Sequence, residues 1–172
     1  MKNLLIAIAL LTICFVLMGC VSVPHIIWPQ KDIKAKAINE PTYDKKVLIA
    51  SRSSDFKDVV VKKLVESFKD EKVFIKLIGM ENLEEEDGND YNAVVMLNTC
   101  MAWDMDRNVK KFLKKHDDQS NMIILTTSGD GDWLPKKDGQ NFDAISSASK
   151  KANIDKAVGD IAAKVQILLG NA

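Results

Sequence analysis

Cysteine and histidine are scarce in this sequence, and their positions exclude several kinds of site. The chain has 172 residues, of which three are cysteines and two are histidines. They are Cys14, Cys20, Cys100, His25 and His116. No two of them have the spacing of metal ligands, and the cysteines suggest no framework of disulfide bridges. A zinc site and a Cys-His nucleophile pair are therefore not expected.

Neither sign of charge is in excess. The 24 basic residues balance 24 acidic residues, so the formal net charge is zero. A nucleic-acid partner requires a basic surplus to meet the phosphates, and no such partner is expected here. The densest basic stretch, residues 110–115, is typical of the solvated face of an amphipathic helix. An acidic partner for that face is the alternative.

An apolar run long enough to span a membrane is also missing. Residues 4–18 form an apolar run that is short for a helix crossing about 30 Å of hydrocarbon, but it suits the core of an export signal. Lys2 supplies the positive start of such a signal. The run ends in Leu17-Met18-Gly19-Cys20, which resembles a bacterial lipobox.

The lipobox resemblance implies a lipoprotein. Residues 1–19 would be removed as a signal peptide, and acyl chains such as palmitate would be attached to Cys20. The acyl chains would hold the protein on a membrane of the cell envelope, facing outside the cytoplasm. Cys100 would then have no intramolecular disulfide partner. An uncleaved anchor helix and simple secretion are the alternatives.

Residues 20–44 are expected to contain the lipidated cysteine and a tether. Pro24, Pro29 and Pro41 interrupt this segment, and each proline removes a backbone donor and restricts the residue before it. No apolar period is sustained between them. One globular domain with one core is expected over residues 45–172.

The chain is organised around residues 91–116. Residues 93–97 are apolar, uncharged and partly β-branched, which by periodicity alone fits a buried strand or a buried helix. The short length and the polar break that follows favour a strand of a parallel sheet. After a loop, Asp104 can cap a helix whose apolar positions have helical spacing. These positions are Met105, Val109, Phe112, Leu113 and His116.

The rest of the domain alternates in the same way. Strands are expected at residues 47–50, 72–78, 91–97, 122–127 and 142–146, with helices after Asp55, after Asp104 and over 154–169. This alternation indicates an α/β fold, a three-layer sandwich around a five-stranded parallel sheet. The connection over residues 129–141 holds three glycines and a proline and has no apolar stripe. A loop is therefore expected in place of a helix between the fourth and fifth strands.

The order of these parts resembles the flavodoxin-like family from about residue 45 to residue 169. Three strands end in polar loops: a hydroxyl-rich turn, an aromatic-containing loop, and Thr127-Ser128-Gly129-Asp130-Gly131-Asp132-Trp133. The resemblance implies the strand order 2-1-3-4-5 and a ligand at the carboxyl ends of the strands. In this family the ligand is flavin mononucleotide (FMN). The first loop takes its phosphate, and the other two loops flank the isoalloxazine ring.

The resemblance implies candidate FMN-binding residues in all three loops. They are Ser51, Arg52, Ser53 and Ser54 in the first loop, Asn98, Thr99, Cys100, Met101 and Trp103 in the second, and Ser128, Gly129, Asp130 and Trp133 in the third. Trp103 and Trp133 would sandwich the ring. The alternative is that both tryptophans pack over the end of the sheet as core residues.

The first loop departs from the family pattern. The family normally has a glycine after the second hydroxyl residue and a threonine two positions further on, where this chain has Ser54 and Phe56. Asp55 lies beside them. The positive end of the helix dipole favours a phosphate, but the Asp55 carboxylate already lies there and would repel it. Arg52 can offset part of that repulsion.

Two functions follow from these residues. The first is an envelope lipoprotein that binds FMN for electron transfer, with a redox partner. The second is a non-catalytic lipoprotein that uses the same crevice to bind a partner or a small ligand, since a fold does not determine a function. The altered phosphate loop and the missing helix favour the second.

Two further kinds of site receive little support. A cation site at Asp130, Asp132 and Asp138 lacks the spacing of a calcium loop, and Asx turns are the default there. No metal ligand set is therefore expected. A serine hydrolase would need a histidine near the serines of residues 51–54, and there is none.

Overall fold

The computed structural model describes residues 30–136 and 139–170, which form an alternating series of strands and helices. The strands are β1 (Lys36–Ile38), β2 (Lys45–Ser51), β3 (Val73–Gly79), β4 (Ala93–Thr99), β5 (Met122–Ser128) and β6 (Asp143–Ala148). The α-helices are α1 (Asp55–Phe68), α2 (Arg107–Lys114) and α3 (Ile154–Leu168). Short 3-10 helices occupy Met80–Glu85, Gly88–Asp90 and Lys151–Asn153.

The predicted export signal, the predicted lipidation site Cys20 and the first part of the predicted tether fall within residues 1–29, which lie outside the described residues. Within the described ranges, no helix has both the length and the apolar character needed to cross a membrane.

One mixed sheet runs through the domain in the order β1-β3-β2-β4-β5-β6. The five strands from β2 to β6 are parallel to their neighbours, and β1 pairs with β3 antiparallel. Numbered among themselves, the parallel strands have the order 2-1-3-4-5. This confirms the α/β class and the expected order of the parallel strands.

Within residues 30–136 and 139–170 the sheet has six strands instead of the expected five. The additional strand β1 lies in the segment that was expected to be a tether without regular structure. Residues 30–40 contain no proline, so nothing prevents their pairing. Ile38 of β1 pairs with Ile75 of β3, and Ile33 and Ile38 pack against the core. The ordered chain therefore extends N-terminal to residue 45.

Two hydrophobic clusters lie on opposite faces of the sheet and form the layers. Alternate residues of a strand enter different clusters, as in β2, where Val47 and Ile49 face α1 and α3 while Leu48 and Ala50 face α2. Strand β4 lies between β2 and β5, and its residues 93–98 are all buried. The central position expected for this strand is confirmed.

Two helices begin at a different residue than expected. The side chain of Ser54, and not that of Asp55, caps α1 by accepting a hydrogen bond from Lys57 N. Asp106, and not Asp104, caps α2 through a 2.8 Å bond from Asn108 N. Asp104 cannot start the helix because its backbone N–H and C=O both pair with Met101.

His116 has a structural role at the end of α2. Its side chain is buried, and Nε2 accepts a 3.0 Å hydrogen bond from Gly88 N. Nδ1 lies 2.8 Å from Phe112 O and donates a hydrogen bond to that carbonyl. The histidine therefore joins α2 to the turn before β4.

The connection from β5 to β6 contains no helix in its described residues, 129–136 and 139–142, as expected. Pro135 and Phe142 are buried, and Phe142 packs in the hydrophobic cluster that faces α2. Gly131 has φ +82°, and a Cβ added there would lie 2.2 Å from Ala148 N. Both the backbone conformation and the close approach to β6 require glycine.

Substitution of Gly131 by alanine is expected to destabilise the domain by about 2 kcal/mol or more, because the new Cβ would displace the backbone of β6. The matched control is Gly159→Ala in α3, where a Cβ meets nothing within 4 Å. That variant should gain about 0.5–1 kcal/mol from helix propensity. Urea denaturation measures both, and a Gly131→Ala variant as stable as the wild type would contradict the close approach.

Candidate functional site

The loops that follow β2, β4 and β5 meet along one surface, here called the crest. Arg52 N in the first loop donates to Leu97 O of β4 at 3.2 Å. Cys100 N in the second loop donates to Thr127 O of β5 at 2.8 Å. The three loops singled out in the sequence are thus held together by backbone hydrogen bonds.

The serine hydroxyls of the first loop are all engaged locally. Ser51 is buried and donates to Arg52 O at 2.7 Å. Ser53 Oγ donates to Asp58 Oδ2 at 2.9 Å, and Ser54 Oγ accepts from Lys57 N at 3.3 Å. The bonds of Ser53 and Ser54 stabilise the start of α1. All three hydroxyls form hydrogen bonds within the chain.

A segment N-terminal to β1, residues 31–33, crosses over the first loop and is here called the strap. Lys31 O accepts a 2.6 Å hydrogen bond from Ser53 N, and Ile33 N donates to Ser51 O at 3.3 Å. A phosphate-binding loop presents such an amide to its ligand. In this chain the Ser53 amide donates to the strap.

The Arg52 side chain is only 11% exposed and is surrounded by carboxylates. Its Nε donates to Asp106 Oδ2 at 2.8 Å, and Nη1 donates to Asp32 Oδ1 at 2.9 Å and to Glu81 Oε1 at 3.3 Å. Burial alone would lower the pKa of Arg52, but the hydrogen bond to Asp106 and the charges of Asp106 and Asp32 raise it above its ordinary value. The guanidinium therefore stays charged and paired.

Asp32 of the strap occupies a position that an anionic ligand would take. Its Oδ1 accepts from Arg52, and its Oδ2 accepts from Glu81 N at 2.8 Å. A Cβ on Gly79 would lie 2.6 Å from Asp32 Oδ2, so the absence of a side chain at Gly79 makes room for this carboxylate. Arginine and backbone N–H groups are the donors that proteins use for phosphate.

Lys57 is a second buried cation at the crest, and the sequence analysis missed it. It is 3% exposed, and its Nζ donates to Thr99 Oγ1 at 2.7 Å. Burial lowers the pKa of Lys57 to about 8; the charges of Asp58 and Asp106 oppose this shift, and Arg52 adds to it. A sequence signal existed, because Lys57 lies three and four residues before Val60 and Val61, two apolar residues on the buried side of α1.

The first loop does not fit the phosphate of FMN. The Ser53 amide and the Arg52 guanidinium already have partners within the chain. Carboxylates of Asp32 and Asp106 stand where a dianion would have to approach, and they would repel it. The polar groups at this end of the crest are satisfied without a ligand.

A cleft of about 270 Å³ lies between the second and third loops and is here called the crest cleft. Its walls bring together most of the candidate residues of these two loops, namely Cys100, Trp103, Ser128, Gly129, Asp130 and Trp133. Asp132 also lines it, and among the described residues no basic side chain does. The cleft therefore favours an uncharged or cationic group.

The remaining candidates of the second loop serve the fold. Asn98 is buried, donates to Thr126 Oγ1 at 3.1 Å and accepts from Asp106 N at 3.3 Å. Thr99 accepts from Lys57, and Met101 forms one side of a hairpin turn. None of the three lines the crest cleft.

The hairpin turn between Met101 and Asp104 holds two residues in a left-handed conformation. Ala102 has φ +52° and Trp103 has φ +58°, although neither is glycine. Such a conformation costs of order 1–3 kcal/mol per residue and persists only where the surroundings impose it. The turn carries the Trp103 side chain into solvent, where it is 86% exposed. The alternative that both tryptophans are core residues is therefore wrong for Trp103, while Trp133 is half-buried.

The described residues also bear on the cation site and on cysteine reactivity. Among residues 30–136 and 139–170, no group of three His, Cys, Asp or Glu side chains is arranged to hold a metal ion. Asp138 of the weak cation hypothesis lies outside the described residues. Cys100 is a free thiol, and burial raises its pKa, so it is not activated as a nucleophile.

Comparison with solved structures shows the same fold. The chain matches an oxidoreductase from Corynebacterium diphtheriae with a TM-score of 0.50 and 11% identity, covering 76% of this chain and all of that one. It matches the flavodiiron core of Flv1 from Synechocystis with a TM-score of 0.52 and 10% identity, covering 76% of this chain and 38% of that core. A flavodoxin from the Archaea matches with a TM-score of 0.44 and 12% identity over 70% of this chain and 99% of that one.

No family model matches the sequence, and no curated protein matches it. The parallel-strand order and the structural likeness together establish a flavodoxin-like fold. Identities of 10–11% establish the fold alone.

The pH dependence of stability should reveal the buried Lys57. Since its pKa falls from 10.5 to about 8 on folding, the folded state loses the proton first, and the free energy of unfolding rises between these two pH values. A Lys57→Met variant should lack this rise. The free energy of unfolding of the wild type minus that of the variant should therefore increase by up to about 3 kcal/mol between pH 7 and pH 10.5.

Urea denaturation of the wild type and of Lys57→Met across this pH range measures the difference between their free energies of unfolding. The contributions of the other titrating groups cancel in this difference. Lys62→Met, at an exposed position of the same helix, is the control and should follow the wild type. If the free energies of unfolding of the wild type and of Lys57→Met change with pH in parallel, Lys57 is not desolvated in the folded state.

Proposed function

We propose that this chain is a lipid-anchored protein of the cell envelope whose flavodoxin-like domain binds a partner or a small ligand at the crest without FMN. The observation that carries this proposal is the strap. Lys31 and Asp32 accept hydrogen bonds from Ser53 N, Arg52 and Glu81 N, which are donors that a phosphate would otherwise use.

The energies involved favour the strap over a phosphate. Asp32 accepts two hydrogen bonds in which a charged group takes part, and such bonds contribute about 1.5–3 kcal/mol each. A phosphate would have to displace both before it could bind. The displacement therefore opposes FMN by about 3–6 kcal/mol, or two to four orders of magnitude in affinity.

The crest cleft remains available for another ligand. Trp133 and the exposed Trp103 offer ring faces, and Asp130 and Asp132 supply negative charge. Ser128 Oγ accepts a 2.9 Å hydrogen bond from Gly131 N, which holds the third loop in place. An uncharged or cationic ligand with a flat apolar part fits this combination better than an anion.

The second candidate function is electron transfer with bound FMN. It is supported by the likeness to a flavodiiron core and to an oxidoreductase, which is a likeness of fold. It requires the strap to leave the first loop when the flavin binds.

Titration with two flavins separates these functions. The full chain in detergent micelles is titrated with FMN and with riboflavin, which lacks the phosphate, while flavin and tryptophan fluorescence are followed. We expect FMN to bind no more tightly than riboflavin, because the phosphate finds no free donors. An Asp32→Ala variant is the control: it frees one bond of Arg52 and should improve FMN binding relative to riboflavin. Binding of FMN by the wild type about tenfold more tightly than riboflavin would support electron transfer instead.

The lipid anchor is tested in the cell. When a bacterium that produces the chain is grown with an alkyne analogue of palmitate, the wild-type protein should carry the label and fractionate with membranes. Cys20→Ala should abolish both properties, whereas the matched variant Cys100→Ala should retain them. An unlabelled wild-type protein would refute the anchor.

A further inference from the structure

A second groove, of about 550 Å³, lies between α2 and the described part of the loop after β5. It is here called the lysine groove. Trp103 and Trp133 line both this groove and the crest cleft. Its other principal lining residues are Met105, Leu113, Leu134 and Pro135, with Lys110, Lys114 and Lys136. Its volume lies in the range of small-molecule sites, roughly 300–1,000 Å³.

Exposed apolar side chains are concentrated at this groove. Of the four large hydrophobic side chains that are exposed among the described residues, Trp103 and Leu134 line the groove, at 86% and 52% exposure. Isolated exposed apolar residues need no explanation, but a group of them on a concave surface marks a binding site. Apolar surface is therefore available for a ligand.

The backbone that presents Trp103 is strained. Ala102 and Trp103 both have positive φ in a turn where glycine or asparagine would be relaxed. The strain holds an indole in solvent, where it contributes little to the core. Strained residues cluster at ligand-binding segments. This observation is independent of the exposure of Leu134.

The groove carries three lysines, and the described residues neutralise only one of them. Lys110 is paired with Asp104, which is the one carboxylate among the described lining residues. Lys114 and Lys136 make no ion pair with any described residue. The crest cleft, in contrast, is lined by two aspartates. The two concavities on either side of the tryptophans thus have opposite charge.

We propose that the lysine groove binds a small aromatic anion. Its flat ring packs against Trp103 and Leu134, and its carboxylate or similar acidic group lies near Lys114 and Lys136. Aromatic rings stack on an exposed indole, and ammonium groups at the rim favour a negative charge. The lysine groove shares its two tryptophans with the crest cleft but takes its charge from Lys114 and Lys136, so this inference does not depend on the absence of FMN.

The test uses 2-naphthoate as the probe and the indole N–H groups of Trp103 and Trp133 as reporters. The full chain, labelled with ¹⁵N at its tryptophans, is titrated in detergent micelles with 2-naphthoate and with the uncharged 2-naphthamide. We expect 2-naphthoate to shift the signals of both Trp103 and Trp133. The amide should bind about five- to tenfold more weakly, because it lacks the charge.

Matched variants assign the contacts. The double variant Lys114→Gln/Lys136→Gln should weaken 2-naphthoate about five- to tenfold and leave 2-naphthamide unchanged. Lys62→Gln/Lys72→Gln, which changes two exposed lysines elsewhere, should bind both probes as the wild type does. The dispersion of the indole signals verifies that each variant is folded.

Trp103→Gly separates a binding role from a structural one. Glycine relieves the left-handed backbone strain, so the variant should melt at a higher temperature while losing most of its affinity for 2-naphthoate. The proposal is overturned if the probe shifts the indole signal of neither Trp103 nor Trp133. It is also overturned if the double lysine variant binds 2-naphthoate like the wild type, since the anion would then lie outside the lysine groove.

Discussion

A guanidinium buried at the crest is stable only when carboxylates surround it. Arg52 obtains them from separate segments: Asp106 at the N-terminus of α2, and Asp32 in the strap. Glu81 adds little, because its side chain is 73% exposed. Loss of one partner of a buried ion pair typically costs about 3–5 kcal/mol. Arg52 therefore joins α2, the first loop and the strap at the crest, beside the backbone hydrogen bonds that also hold the strap to the first loop.

This constraint also determines what the crest can bind. The donors that a flavodoxin-like fold can offer to a phosphate are used here within the chain, by Asp32 and by the Lys31 carbonyl. The binding surface that remains lies further along the crest, around Trp103 and Trp133. There the charge changes sign across the two tryptophans, so the fold presents two concavities with different ligand preferences.

The features that could be predicted from the sequence are those encoded by local pattern. The apolar run of β4 also allowed a buried helix by periodicity, but its short length and the polar loop after it predicted a buried strand of a parallel sheet. The glycines and proline of residues 129–141 similarly predicted a connection without a helix. The crest loops followed from strand order, since parallel strands end at a common surface.

The features that could not be predicted depend on distant partners. The three residues of β1 form a strand because the edge of β3 is available to them, and no three-residue pattern reveals this. The strap and its pairing with Arg52 join residues 20 positions apart in sequence. The shift of the α2 cap from Asp104 to Asp106 reflects the hairpin at Met101, whose positive φ angles are unusual for alanine and tryptophan.

The central claim is that the strap occupies the phosphate-binding donors of the first loop. A long-range HNCO experiment detects the scalar coupling that an N–H···O=C hydrogen bond transmits, and it can be recorded with and without excess FMN. The account predicts a cross-peak between Ser53 N and the carbonyl carbon of Lys31 that persists when FMN is added. Absence of this cross-peak in the free protein, or its loss on addition of FMN, would contradict the account.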